Sequence, residues 1–255
     1  MHSIFQLMKK EERTESGGKE MKYNITGDNL QIVTCELGPN ERVYAEAGAM
    51  VYMSGNMNFE AKAKGGLMKG LKRKLTGESF FLTEFTPMQG PGWVGFGGNA
   101  PGTIKCIELV PGKEFLVQKD AFLCAENTVD LEMAWQKKLG ASLFGGEGFI
   151  LQKLSGNGKA FIHATGDFVE MELAPGQVVK VDTGSVVGWD ATVTYDIQRA
   201  GGLKSMMFAG EGIFLTTLTG PGKILLQSMN LPELAATLSR YMPQQESGSS
   251  GFRIG

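Results

Sequence analysis

The sequence contains three divergent copies of one β-rich unit, and this repetition constrains the fold more than any other feature. In each copy an apolar segment runs into a proline turn, at Pro39, Pro111 and Pro175. Proline presets φ for a chain reversal, so each of these turns predicts the end of a strand. One unit cannot bury its apolar face alone, and the three copies are therefore expected to pack around a common core with approximate threefold symmetry.

Two further markers follow each proline, always in the same order. The first is a glutamate directly after a glycine, at Glu78, Glu147 and Glu211. The second is a glycine-rich turn with an apolar strand on either side, at 90–92, 156–158 and 220–222. Glycine tolerates the positive φ that tight turns require, so the second marker predicts a β-hairpin in each unit.

Composition excludes several classes of protein. The 36 glycines and 42% hydrophobic content are typical of an all-β fold with many tight turns. A formal charge of −2 gives no positive field for a nucleic acid, so we predict no nucleic-acid partner. The three cysteines lack the spacing of a disulfide framework or a zinc site, and no segment is apolar enough to span a bilayer. These features predict a cytoplasmic protein without a metal or other cofactor.

The chain is predicted to form one folded domain with a polar segment at each end. Residues 1–20 are interpreted as a flexible arm and residues 244–255 as a disordered tail. The domain between them, 21–243, divides into repeats at about 21–102, 103–167 and 168–243. One helix is expected, over 231–241, since Pro232 suits a first helical turn and leucines follow on one face.

Three segments resemble a known family. Residues 28–31, 45–51 and the glycine-rich run 65–81 are similar to the mitochondrial biogenesis family once catalogued as domain of unknown function 124. This resemblance implies a pseudo-threefold β-prism of three sheets, similar to the tryptophan RNA-binding attenuator fold and to the double-stranded β-helix. It also implies a homo-oligomer without established enzymatic residues. Eukaryotic members of the family are tied to the organisation of the mitochondrial inner membrane.

Each unit also carries a segment that mixes large apolar residues with glycine, lysine and arginine, directly before its Gly-Glu marker. Threefold symmetry would gather the three segments at one end of the prism, where they would form a basic-rimmed apolar patch for partner proteins or an anionic membrane. The alternative is that the same apolar residues plug the end of the core. The residues of the predicted patch are Leu67, Met68, Lys69, Leu71, Lys72, Arg73, Lys74, Leu143, Phe144, Leu203, Met206, Met207 and Phe208.

The glutamates of the Gly-Glu markers are the most enzyme-like feature. Symmetry could bring Glu78, Glu147 and Glu211 together near a common axis, where repulsion would raise their pKa values or recruit a cation. The alternative is that each glutamate is a turn residue that binds nearby backbone amides. His163 stands four residues before Asp167, but without a placed nucleophile we interpret it as structural.

Together these patterns predict a non-enzymatic, oligomeric binding or scaffold protein. It would contact a partner protein or a membrane surface through the apolar and basic patch. The alternative is a small-molecule-binding or enzymatic domain, with a pocket between repeats near the three Gly-Glu turns.

Overall fold

The structure is a computed structural model, and it describes residues 21–62, 82–137, 148–199 and 214–241. These residues form nineteen β-strands and one α-helix, which confirms the prediction of an all-β fold with a C-terminal helix. The elements are β1 Lys22–Thr26, β2 Ile32–Leu37, β3 Val43–Glu46, β4 Met50–Met53, β5 Met57–Lys62, β6 Leu82–Pro87, β7 Gly92–Gly97, β8 Gly102–Leu109, β9 Phe115–Gln118, β10 Phe122–Glu126, β11 Val129–Lys137, β12 Phe149–Gly156, β13 Gly158–Thr165, β14 Phe168–Leu173, β15 Val178–Asp182, β16 Val186–Asp190, β17 Thr194–Arg199, β18 Phe214–Thr219, β19 Gly222–Gln227 and α1 Leu231–Ser239.

After β1, the strands repeat three times in groups of six. The first unit holds β2 to β7, the second β8 to β13 and the third β14 to β19, and the first strand of each unit ends two residues before its proline. The residue after each proline has a left-handed backbone, with φ of 67° at Asn40, 87° at Gly112 and 76° at Gly176. Glycine and asparagine tolerate this conformation better than other residues do, which explains why they occupy the position.

Neighbouring units are joined by shared sheets. The second sheet has the order β5-β6-β3-β10-β13-β8, so its first three strands come from unit one and its last three from unit two. The third sheet, β11-β12-β9-β16-β19-β14, combines units two and three in the same way. The first sheet, β1-β2-β7-β4, holds β1 and three strands of unit one, and the fourth, β15-β18-β17, holds three strands of unit three. The described strands thus form four sheets where the resemblance implied three, because β4 and β15 do not pair.

The glycine-rich turns differ from the prediction of β-hairpins. Residues 90–92 lead from β6 in the second sheet to β7 in the first, and the equivalent turns of units two and three also connect strands of different sheets. Both edges of β6 are already occupied, by β5 and β3, so β7 has to pair elsewhere. The hairpin of each unit lies one connection earlier, between β5 and β6, β11 and β12, or β17 and β18.

Buried side chains form three clusters instead of one common interior. The first cluster lies between the first and second sheets, the second between the second and third, and the third between the third and fourth. Successive side chains of a strand point to opposite faces, so a shared sheet serves two clusters. In β13, for example, Phe161 packs in the first cluster and Ile162 in the second. Each unit therefore has its own core, but its walls belong partly to a neighbour.

One polar contact recurs in all three units and confirms that equivalent positions have equivalent roles. A side-chain oxygen at the end of the third strand of the unit accepts a hydrogen bond from the backbone N–H of the second residue of the sixth strand. The three pairs are Ser54 with Trp93 at 3.1 Å, Glu126 with Lys159 at 2.6 Å and Asp190 with Lys223 at 3.0 Å. The acceptor is a hydroxyl in unit one and a carboxylate in units two and three. The units therefore share a hydrogen-bond acceptor at this position but not the same side chain.

Candidate binding surfaces

The predicted apolar and basic patch lies outside the described residues. Its three segments fall within 63–81, 138–147 and 200–213, and Glu78, Glu147 and Glu211 fall there too. It therefore stays a prediction that the three segments lie together in one patch and that the three glutamates lie near one axis. The structure does describe the strand ends on both sides of each segment. They are the last paired residues of the three hairpins, Lys62 with Leu82, Lys137 with Phe149, and Arg199 with Phe214. Each of the three segments therefore connects a pair of strand ends that is equivalent to the pairs in the other two units.

The four sheets have eight edge strands among the described residues, and two of these have equivalents in both other units that are paired on both sides. They are β4, at one edge of the first sheet, and β15, at one edge of the fourth. Val51 on β4 is 54% exposed, whereas the residues at the same position of units two and three, Leu123 and Val187, are 3% and 0% exposed. On β15, Val178 is 56% exposed. An exposed strand edge offers unpaired N–H and C=O groups to a further strand, so both edges are candidate interaction surfaces.

The outer face of the first sheet carries an ordered aromatic group beside the β4 edge. The hydroxyl groups of Tyr52 and Thr34 are hydrogen-bonded at 2.6 Å, and the rings of Tyr52 and Trp93 meet edge to face at 5.6 Å between centroids. Gly95 leaves the space for the Tyr52 ring, since a Cβ at Gly95 would lie 2.5 Å from that ring. Tyr52 is half-buried and Trp93 is 37% exposed, so this face presents apolar surface with a polar anchor.

One cleft opens at the surface of the second sheet, with a volume of about 180 Å³. Its walls include Arg42 and Glu84, which form an ion pair at 3.2 Å, together with Asn58 and Glu60. Pockets for small organic ligands occupy about 300–1,000 Å³ and are mostly apolar. The size and the polar walls of this cleft are therefore unlike those of a typical small-molecule site. Among the residues that the structure describes, no group of three or more His, Cys, Asp or Glu side chains is arranged to hold a metal ion.

The structure brings together the three cysteines, which sequence reasoning left apart. Cys35 and Cys124 are buried in the first cluster with their thiols hydrogen-bonded, and Cys106 packs against the same cluster. Burial raises the pKa of the Cys106 thiol to about 12 and that of Cys124 well above its usual range. A thiol is nucleophilic only as the thiolate, so these cysteines act as small apolar residues. The sequence gives no signal of this contact, because it depends on how the first sheet packs on the second.

We expect the native protein to resist thiol reagents. A pKa of about 12 leaves about one Cys106 thiol in ten thousand ionised at pH 8, so the dye-releasing disulfide reagent of Ellman's assay should modify none of the cysteines within minutes. All three should react after unfolding in guanidinium. The control is a Val110→Cys variant, whose added thiol sits at a 53% exposed position and should react at once. Fast modification of a native cysteine would contradict the assigned burial.

His163 is buried beside the connection between units one and two. Its imidazole lies against the backbone of Gly98 and Gly102, where an added Cβ would come within 2.5 Å and 2.7 Å of the ring. Burial lowers the pKa of His163, although a hydrogen bond with the backbone of Ala100 opposes this shift. The imidazole is therefore neutral at physiological pH and fixes the connection between units one and two.

Comparison with known proteins places the chain in a family. The sequence profile of the family described as mitochondrial biogenesis AIM24 matches residues 23–229, which is most of the chain and nearly all of its described strands. The chain belongs to the mitochondrial biogenesis AIM24 family. The match confirms the resemblance found in the sequence and spans all three repeats.

Two bacterial relatives of this AIM24 family member are similar along nearly their whole length. An uncharacterised protein of Streptococcus pyogenes serotype M6 is 28% identical over 249 residues, covering 94% of this chain and 98% of that protein. A structural-genomics crystal structure of a protein from Streptococcus pyogenes has a TM-score of 0.72 and 29% sequence identity, covering 88% of this chain and all of that one. Among the described residues of the present chain, no helix is long and apolar enough to cross a membrane.

Proposed function

We propose that this protein is a cytoplasmic, non-enzymatic scaffold that assembles from copies of itself and docks on anionic membrane surfaces. The observation that carries the proposal is that β4 and β15 stand at open edges although their equivalents in the other two units are paired on both sides. Open edges with exposed valines are interaction sites, and monomeric proteins usually protect them. The filled clusters and the small polar cleft offer less support for a ligand-binding enzyme.

The membrane part of the proposal rests on the first segment between paired strand ends. Residues 63–81 connect β5 to β6 and contain Lys69, Lys72, Arg73 and Lys74 among leucine, methionine and phenylalanine. Apolar residues insert at the boundary of a bilayer, while each cation near an anionic surface contributes about 1 kcal/mol. A plug for the core would need the apolar residues of this segment but not this cluster of four cations.

The test is sedimentation with vesicles. We expect the protein to sediment with vesicles rich in phosphatidylserine. With neutral phosphatidylcholine vesicles it should stay in the supernatant. Changing Lys69, Lys72, Arg73 and Lys74 together to glutamine should weaken the binding at least about tenfold, because it removes the attraction to the anionic surface.

The control variant changes four exposed basic residues that lie elsewhere. Glutamine at Lys22, Lys113, Lys223 and Arg240 alters the net charge equally and should leave binding within about twofold of wild type, since these residues are not clustered in one segment of the chain. Equal loss in both variants would show a nonspecific charge effect. Absence of binding by the wild type would contradict the membrane role.

A further inference from the structure

The two shared sheets contain the same seam. In the second sheet, β3 of unit one pairs antiparallel with β10 of unit two, and in the third sheet β9 of unit two pairs with β16 of unit three. The second strand of one unit thus always pairs with the third strand of the next. In the first and fourth sheets the equivalent strands are β4 and β15, which have no strand of another unit beside them among the described residues. The two open edges are therefore the two halves of one further seam.

The register of this further seam follows from the internal ones. Counted from the prolines, Phe115 pairs with Asp190, Leu116 with Trp189 and Val117 with Gly188, and the β3–β10 seam has the same offset. No insertion or deletion separates the units between the proline and the end of the third strand. The same offset pairs Val179 with Ser54, Lys180 with Met53 and Val181 with Tyr52.

Side chains on β4 match a seam position. Val51, 54% exposed, is the only one of three equivalent apolar residues that the described chain leaves uncovered, since Leu123 and Val187 are buried beside an internal seam. The aromatic pair Tyr52 and Trp93 lies next to it on the same sheet. Pairing at this edge would cover the valine as its equivalents are covered.

We infer that β15 of one copy pairs antiparallel with β4 of a second copy in this register, completing a six-stranded sheet between chains. The inference specifies the self-association in the proposed function and rests on it. The partner surface is different on each side, so the contact is head-to-tail, and repetition of it closes a ring or extends a chain. The occupant of each edge is another copy, because the internal seams show that this fold recognises its own strands there.

One residue limits the strength of the seam. Lys180 on β15 stands where units one and two have Tyr44 and Leu116, which are 1% and 9% exposed. A charged residue on an edge strand disfavours pairing and keeps association reversible. Lys180→Leu restores the apolar side chain of unit two and should tighten association by about tenfold or more.

The first experiment measures mass by light scattering after size exclusion, over a range of protein concentrations. We expect wild type to exceed the 27.5 kDa of one chain and Val51→Lys to remain monomeric, because the lysine would have to be buried in the seam. The matched control is Val110→Lys, at a position that is 53% exposed and outside both edges, and it should assemble like wild type. Equal assembly of both variants, or a monomeric wild type at every concentration, would overturn the inference.

A second experiment keeps the test valid if Val51→Lys folds poorly. A Met53→Cys copy mixed with a Lys180→Cys copy should give a disulfide-linked pair under mild oxidation, because directly opposed strand residues have Cα atoms about 4.5–5.5 Å apart. The control mixture, Val110→Cys with Lys180→Cys, should stay unlinked. A Met53→Cys/Lys180→Cys double variant that links only within one chain would show that the protein closes on itself.

The outcomes also separate this inference from the proposed membrane role. A monomeric wild type that still sediments with phosphatidylserine vesicles would reject the seam and leave membrane docking intact. An assembled wild type that does not sediment would support the seam and reject docking. Assembly that occurs only after residues 1–20 are deleted would show that these residues cover β4 in the full chain. That result would also reject the seam as the state of the full chain.

Discussion

Replacing Trp189 with alanine should lower the free energy of unfolding by about 3–5 kcal/mol, which is the largest effect that we expect from one side chain. Trp189 is fully buried in the third cluster and packs on Tyr195, with 5.0 Å between the ring centroids. Alanine would remove the ring from a site enclosed by the third and fourth sheets. Urea unfolding followed by circular dichroism would measure the loss.

Trp189→Phe is the matched control. The indole Nε1 has no hydrogen-bond partner among the described residues, so phenylalanine removes a buried unsatisfied donor while it keeps most of the apolar contact. We expect a loss of about 1–2 kcal/mol, clearly smaller than for alanine. Similar losses for both variants would show that the contribution of Trp189 does not come from filling the third cluster.

Replacing Gly102 with alanine should destabilise the protein by about 3 kcal/mol or more, because the obstacle to the new methyl group is backbone. A Cβ at Gly102 would overlap the carbonyl oxygen of Ala164 and lie 2.7 Å from Nε2 of His163. Gly102 also forms bridges to Leu30 and to Gly166, and its N–H donates to the carbonyl of Asn29 at 2.6 Å. Leu30, Gly102 and Gly166 lie at or just before the first strands of the three units, so the substitution would disturb the place where the units meet.

Gly55→Ala is the control for Gly102→Ala. A Cβ at Gly55 meets no atom within 4 Å, and its φ lies outside the left-handed range. We expect a change in stability of no more than about 0.5 kcal/mol, since surface substitutions without special contacts have small effects. Thermal unfolding of both variants beside wild type would measure the difference. Equal melting temperatures for Gly102→Ala and wild type would contradict the close approach of the backbones.

Shared sheets give the protein an architecture suited to assembly. Unit two cannot be removed without taking three strands from the second sheet and three from the third. Each unit is joined to its neighbour by a β-strand pair, and in the outer two units one strand of that kind, β4 or β15, has no such partner in the described chain. An assembly of whole chains would therefore reuse the contact that already joins the units within one chain.

Several features could be predicted from the sequence because they depend on local chemistry. The strands, the proline turns and the helix from Leu231 follow from side-chain branching, from a fixed φ and from leucine spacing. The threefold repetition was visible because Pro39, Pro111 and Pro175 stand at equivalent turns, and the family followed from short runs of residues.

Only the tertiary structure decided how the strands pair. Every strand of this fold has two edges, and local sequence does not indicate which partner occupies each edge. The glycine-rich turns looked like hairpins, but both edges of β6 were taken, so its successor joined another sheet. For the same reason the sequence predicted one interior, whereas long-range pairing produced shared sheets and three clusters and left β4 and β15 at open edges.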